Sequence, residues 1–285
     1  MVGVIQYKVP YTSTVEEYLI ASFSDIHAGS KALDKDLFER QVKWASHYAD
    51  KVLLGGDYSD AISPKDRRFE WGTIDRELAT PDEQYQWVID TLAPLKGKIG
   101  GILKGNHDYS IEVQSGHDYV RDMSRELDAP VLGFSGFYRF SFHRGVHVSN
   151  FDIYAHHGQT SARTKGGKIN KLQTMDRIFD ADIYLMSHVH DIDDTRRITL
   201  TVDRNLNIKE RHQYYALTGG FLKGYQNDVS NYVERGMYAP TSLGGVCLSL
   251  HMEKDLRDNV RIYDIPVENY VIKPQTVHRM EEVQR

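Results

Sequence analysis

Short apolar runs, each closed by a glycine or a carboxylate, alternate along this chain with segments of helical spacing. Tyr18-Leu19-Ile20-Ala21-Ser22-Phe23 reads as a mostly buried strand that ends at Ser24-Asp25. Residues 34–48 follow as a helix, with Phe38, Val42 and Ala45 down one side and Leu37, Trp44 and Tyr48 beside them. Val52-Leu53-Leu54 is a second strand, closed by Gly55-Gly56-Asp57. A charged connection over 60–80 carries Lys65, Arg67, Arg68 and Trp71. Pro81 suits the first turn of the next helix, whose stripe is Val88, Leu92 and Leu95. A third strand over 99–103 leads into Gly105-Asn106-His107-Asp108.

From Val131 onward the pattern becomes strand-rich. Residues 137–142 alternate, and Asp152-Ile153-Tyr154-Ala155 runs into His156-His157-Gly158. A glycine- and lysine-rich loop over 163–168 precedes a short helix over 172–179 and a strand over 181–186, which ends at Ser187-His188-Val189-His190. Residues 195–217 read as a hairpin turning near Arg204-Asn205, and 225–238 as a tyrosine-rich loop or short helix. The last strands fall near 246–250 and 260–265. Strands alternating with helices predict an α/β fold with helices packed on a sheet. No linker divides the chain, so one domain is expected over 1–275, with a polar tail over 276–285.

Composition narrows the chemistry. Among 285 residues there is one cysteine, Cys247, against thirteen histidines. A disulfide framework or a thiolate-bound metal is therefore excluded, and any metal must be held by imidazole, carboxylate or amide groups. The net charge of −5 argues against coating nucleic acid by charge alone, although it leaves room for a nucleotide substrate at a local basic patch. The first eight residues lack the basic start and apolar run of a signal peptide, and no apolar stretch is long enough for a membrane helix. A cytoplasmic protein without membrane contact is the expectation; oligomeric state is left open.

Five polar motifs sit where the apolar strands end: Asp25-Ile26-His27, Gly56-Asp57, Gly105-Asn106-His107-Asp108, His156-His157-Gly158 and His188-Val189-His190. Singly each is compatible with an ordinary solvated turn. Together they place carboxylates, imidazoles and an amide at strand ends, where side chains from separate strands converge. Such donors suit Mn²⁺, Fe or Zn²⁺.

In order and content these motifs resemble the signature of the calcineurin-like metallophosphoesterases. The resemblance implies a four-layer α/β/β/α sandwich of two mixed sheets flanked by helices, with a two-metal site at the strand ends. It implies that Asp25, His27 and His190 hold one divalent ion, and that Asn106, His188 and the His156 or His157 position hold a second. Asp57 would bridge the two. Mn²⁺ is the expected metal, with Fe, Zn²⁺, Ni²⁺ or Co²⁺ as alternatives. Two features depart from the family pattern. Ser187 stands where glycine is usual, and the doubled histidine leaves two candidates, of which His157 is favoured because it directly precedes Gly158.

The implied activity is phosphoester hydrolysis by a metal-bridging hydroxide, with the non-ligand His107 assisting the leaving group. Asp108 or Asp60 would orient His107. Arg163, Lys165 and Lys168 read as a flexible basic loop that grips the phosphoester, though the same composition suits a solvated surface loop. A phosphodiesterase acting on nucleotides or nucleic acid ends is preferred, because no large cap is evident and the lysine-lined loop is open. The alternatives are a phosphomonoesterase on a phosphoprotein or small metabolite, and a metal-binding scaffold without turnover.

Overall fold

Three helices in the first half form where local capping and apolar spacing agree. In α1 (Lys35–Tyr48) the Asp34 side chain accepts from the Leu37 N–H, and Leu37, Phe38, Gln41, Val42 and Ala45 are buried. Thr80 and Glu83 make a reciprocal capping box around Pro81 at the start of α2 (Pro81–Leu92). α3 (Asn106–Ser115) and α4 (Tyr119–Leu127) add to the expected helices, and of the two only α3 lacks an apolar stripe. Asp118 caps α4, which buries Val120, Met123 and Leu127 at helical spacing. The computed structural model describes residues 2–11, 17–61, 71–226, 232–252 and 260–266. Lys65, Arg67, Arg68 and the polar tail assigned to 276–285 lie outside the described residues.

The strands are β1 (Gly3–Pro10), β2 (Glu17–Phe23), β3 (Lys51–Leu54), β4 (Ile99–Leu103), β5 (Val131–Gly133) and β6 (Ser135–Arg144). They continue as β7 (His147–His156), β8 (Ile183–Met186), β9 (Ile192–Val202), β10 (Ile208–Thr218), β11 (Val246–His251) and β12 (Val260–Asp264). Two mixed sheets result, ordered β12-β11-β2-β3-β4-β5 and β1-β6-β7-β8-β10-β9. All five residues of β4 are buried, as expected of a parallel strand covered on both faces. β1 was not anticipated. It is an edge strand that pairs parallel to β6, with Ile5, Tyr7 and Val9 turned inward and Val4, Gln6 and Lys8 exposed.

The sheets face each other across a core that includes Ile20, Leu53 and Leu103 from one and Tyr138, Phe140, Ile153 and Leu185 from the other. α1, α2 and α4 cover the outer face of the first sheet through Phe38, Val42, Val88, Leu92 and Met123. α5 (Lys165–Gln173) covers the outer face of the second, where Leu172 and Met175 meet Tyr154, Tyr184 and Tyr215. The order helix, sheet, sheet, helix is the four-layer α/β/β/α sandwich.

α5 corrects the expected layout. The basic segment is not a loop from 163 to 168, and the helix does not begin at 172. The Thr164 side chain accepts from the Gly167 N–H and starts the helix at Lys165; a 3₁₀ turn, Thr174–Arg177, follows it. Burial of Lys168 and Leu172 one turn apart holds this helix down despite two glycines in its first turn.

Candidate metal centre

The loops leaving β2, β3, β4, β7 and β8 at their carboxyl ends carry the five motifs to one edge of the sandwich. Five of their residues adopt left-handed backbone: Asp25 (φ 52°), His27 (52°), Asp57 (55°), His188 (73°) and His190 (50°). Each costs about 1 kcal/mol or more outside glycine and persists only where surroundings enforce it. Here the enforcement is a backbone lattice between loops. The N–H groups of Ile26 and His27 both donate to Asp57 O, at 2.9 and 3.1 Å, and Phe221 N donates to Asp25 O at 3.1 Å. Gly105 is required because a Cβ there would overlap Asp57 Oδ1.

Three overlapping groups of donors result: Asp25, His27 and His190; Asp57, His157 and His188; and His27, Asp57 and His107, which links the first two. Asp25, His27 and His190 present one ligand atom each, all within 4.8 Å of one another. His190 Nε2 lies 3.4 Å from Asp25 Oδ1, and the His27 and His190 rings stack at 4.8 Å. Asp25 Oδ1 and His27 Nε2 are buried and lack hydrogen-bond partners among the described residues. An orphaned carboxylate oxygen and an orphaned imidazole nitrogen facing one point fit a cation, since leaving both bare would be costly. In the second group, Asn106 Oδ1 lies 3.0 Å from His157 Nε2 and 2.8 Å from His188 Nδ1. Asp57 Oδ2 is 3.3 Å from His157 Nε2 and 3.7 Å from His27 Nε2, so one carboxylate reaches both groups.

The doubled histidine divides cleanly. His157 Nδ1 donates to Gly55 O at 2.8 Å, which turns Nε2 toward Asp57. His156 instead accepts from the Gly158 N–H at 2.7 Å and packs against Tyr154; it joins none of these groups.

Burial pushes the Asp25 carboxyl up to about 6. Burial would also raise Asp57, but the facing His157, His107 and His27 hold it well below the usual range. Burial alone would lower His157; the Asp57 carboxylate carries it to about 10 instead. Burial, aided by His157, drops His188 to about 4, and burial with His27 beside it takes His190 well below its ordinary value. His188 and His190 are therefore neutral at neutral pH, the form a cation binds, whereas binding at His157 would displace the proton that Asp57 holds there.

The partners expected around His107 are corrected. Its N–H donates to Asp57 Oδ1 at 2.8 Å, and its Nδ1 donates to the main-chain carbonyl of Asp60 at 2.7 Å. The Asp60 carboxylate is 3.8 Å from that nitrogen and lies closer to His27 Nδ1, at 3.2 Å. Asp108 bonds to backbone groups and to Tyr85. It is buried and accepts from the N–H groups of Asp57 (2.8 Å), Tyr58 (3.2 Å) and Gly105 (2.8 Å) and from the Tyr85 hydroxyl (2.5 Å). In the sequence Tyr85 reads as core from its place on the α2 stripe, and no signal marks its hydroxyl.

Ser187, where the family pattern has glycine, is buried and accepts from Thr218 Oγ1 at 2.9 Å; Ser24 Oγ meets the same hydroxyl at 2.8 Å. The neighbouring residue compensates, since a Cβ at Gly55 would overlap the Ser187 hydroxyl. Gly55→Ala is expected to destabilise the protein by about 1–3 kcal/mol, with part of the loss recovered in a Ser187→Gly background. Urea unfolding of the two single variants and the double variant measures the coupling; strict additivity would contradict it.

A cleft of about 770 Å³ opens over the donors and includes Asp57, His107 and His190 in its lining. Arg163, Lys165 and Lys168 also line it, but the lysines are already matched. Lys168 is buried and pairs with Asp191 at 2.8 Å, Lys165 pairs with Asp193 at 3.2 Å, and the Arg163 guanidinium sits 5.1 Å from the centre of the Tyr238 ring. Among the described residues no helix is long and apolar enough to cross a membrane.

The model of the family described as calcineurin-like phosphoesterase matches residues 18–208. The chain is 33% identical over 137 residues to a DNA polymerase II small subunit from Thermoplasma acidophilum, covering 46% of this chain. It spans only 27% of that relative's length. Among solved structures it is similar to vacuolar protein sorting 29 from Cryptosporidium parvum, at 15% identity and a TM-score of 0.40, covering 87% of this chain and 97% of that one. It is also similar to YfcE, a phosphoesterase from E. coli, at 12% identity and a TM-score of 0.37, covering 87% and 100%.

Proposed function

The chain belongs to the calcineurin-like phosphoesterase family, and on that premise we propose that it hydrolyses phosphodiesters of nucleotides or nucleic acid ends with two divalent cations. Asp25, His27 and His190 would hold one cation and Asn106, His157 and His188 the other, with Asp57 shared. Mn²⁺ is the expected metal, and Fe, Zn²⁺, Ni²⁺ or Co²⁺ are accepted by the same donors. The observation that carries this reading is the Asp57 carboxylate, within 3.3 Å of His157 Nε2 and 3.7 Å of His27 Nε2. When bound, the cation pair supplies positive charge against the phosphoryl oxygens and acidifies water.

The remaining steps belong to the chain. Asp57 stays anionic between the groups, because His157 and His107 lower its proton affinity. His107 keeps its Nδ1 proton on the Asp60 carbonyl, so the proton given to the leaving oxygen is carried on Nε2. Burial lowers the pKa of His107, which makes its protonated form the stronger acid.

Charge in the cleft favours a diester. A monoester dianion needs more compensating charge than a monoanionic diester, yet Lys165 and Lys168 are matched by Asp193 and Asp191. Arg163, which lines the cleft over the Tyr238 ring, would meet substrate. The likeness to a DNA polymerase small subunit supports a nucleic-acid context.

The test is to strip metal with a chelator, restore Mn²⁺, Ni²⁺, Co²⁺ and Zn²⁺ separately, and compare a bis-aryl phosphate with its mono-aryl counterpart. Hydrolysis that returns with metal and favours the diester is expected. A strong monoester preference would replace this reading with a phosphomonoesterase. Inactivity on both, with two equivalents of metal bound, would leave a non-catalytic scaffold.

A further inference from the structure

α5 carries three lysines, and they differ in what faces them. Lys165 pairs with Asp193 and Lys168 with Asp191, whereas among the described residues no carboxylate pairs with Lys171. A lysine in the last turn of a helix suits the helix dipole and is ordinary there. Its surroundings set Lys171 apart. It lines a recess of about 540 Å³ with Gln159, Thr160, Ser161 and His188. Thr160, Ser161 and His188 also line the cleft over the donors, so the two hollows adjoin along those three residues. The tie to the donors is short. His188 Nδ1 lies 2.8 Å from Asn106 Oδ1, and the His157 and His188 rings are 5.3 Å apart.

No carboxylate lines the recess. Besides His188 it offers an ammonium, two hydroxyls and a primary amide, all able to donate to an anion. Thr160 Oγ1 already accepts from the Ala162 N–H at 3.1 Å, which leaves its own proton available. An apolar group would find little to bury against here, whereas an anion finds charge and donors together. With the scissile phosphorus at the donors, a substrate chain that continues past His188 enters this recess. In a nucleotide chain the next charged group along it is another phosphate.

We propose that Lys171, with Thr160 and Ser161, forms a subsite for a second phosphate of the substrate, next along the chain from the scissile one. The inference rests on the phosphodiesterase reading and narrows it. The preferred substrate is then an oligonucleotide or a phosphorylated nucleic acid end, and not a diester with a single phosphate. Lys171 sets specificity and takes no part in breaking the bond. Lys165 and Lys168 are poorly suited to the task, because their charge is already met by Asp193 and Asp191.

The experiment compares three thymidine dinucleotides: one with the internucleotide phosphate alone, one with an added 5′-phosphate and one with an added 3′-phosphate. Scission of the internucleotide bond is followed in each. The wild type, loaded with the metal that supports bis-aryl phosphate hydrolysis, is expected to prefer one phosphorylated form by about fivefold or more in kcat/KM. Raising KCl should weaken that preference, because the lysine meets its phosphate in partly solvated surroundings. Lys171→Gln is expected to abolish the preference and Lys171→Arg to keep it; taking the ratio of kcat/KM values cancels any general effect on turnover. Equal rates on all three dinucleotides in the wild type, or a preference that survives in Lys171→Gln, overturn the subsite. Hydrolysis of the bis-aryl phosphate but of no dinucleotide also overturns it, while the phosphodiesterase reading stands. Release of terminal phosphate without internucleotide scission, or inactivity on every diester, removes that reading and the subsite together.

Discussion

His107→Ala is expected to keep both cations and lose roughly 10²–10⁴ in kcat. The two groups assigned to the cations converge without the imidazole, as Asp25, His27 and His190 and as Asp57, Asn106, His157 and His188, although His107 also lies with His27 and Asp57 in a third group. What the ring contributes is a proton position, fixed by Nδ1 on the Asp60 carbonyl and by the main-chain N–H on Asp57 Oδ1. The alanine variant retains the second of these bonds, so the loop should hold its shape. Metal content by elemental analysis, measured beside kcat, separates the two contributions. The loss should shrink for substrates whose leaving group is acidic enough to depart unprotonated. Full turnover on a poor leaving group would remove His107 from this role, and loss of metal would make it a ligand.

Asp108→Ala is expected to act on stability instead. Its carboxylate is the acceptor for three backbone N–H groups and the Tyr85 hydroxyl, drawn from two loops and α2. Burial raises its proton affinity, with the Asp57 charge adding to the effect. Those four bonds compensate part of that cost. Removing the carboxylate strands several buried donors, at about 3–5 kcal/mol in total and a fall in Tm of roughly 10 °C. Tyr85→Phe removes one bond and should cost about 1 kcal/mol. Denaturant unfolding of both variants checks the ordering. A loss below 1 kcal/mol for Asp108→Ala would mean that the two loops are held by something else.

These two residues show how far the sequence could be read. His107 was legible because its neighbours in the chain, Gly105, Asn106 and Asp108, form a motif whose chemistry is set by residue type and spacing. In the sequence Asp108 is legible only as an acidic neighbour, one of two candidates with Asp60 for orienting His107. Its actual partners are Asp57 and Tyr58, fifty positions away, and Tyr85 on a helix whose apolar stripe conceals the hydroxyl. The same limit applies to α5. Lysines and glycines read as a loop, because Gly166 and Gly167 obscure the Thr164 cap and the acidic partners Asp191 and Asp193 lie more than twenty positions on. β1 shows another limit: Ile5-Gln6-Tyr7-Lys8-Val9 alternates as a strand does, but only the pairing with β6 decides which sheet it joins.

By itself the sequence determined the donor chemistry and its place in the fold. Imidazole, carboxylate and amide groups without thiolate stand at the ends of apolar strands, and strand alternation with helices brings those ends to one edge. The tertiary structure alone decided orientation. It turned His157 rather than His156 toward Asp57, put Asp57 between two donor groups, set His107 on the Asp60 carbonyl and paired Lys165 and Lys168 with Asp193 and Asp191. The reason is that residue type and local spacing fix which groups a segment carries. The direction a side chain takes from a left-handed turn is fixed by hydrogen bonds to loops far away in sequence, and those exist only once both sheets have assembled.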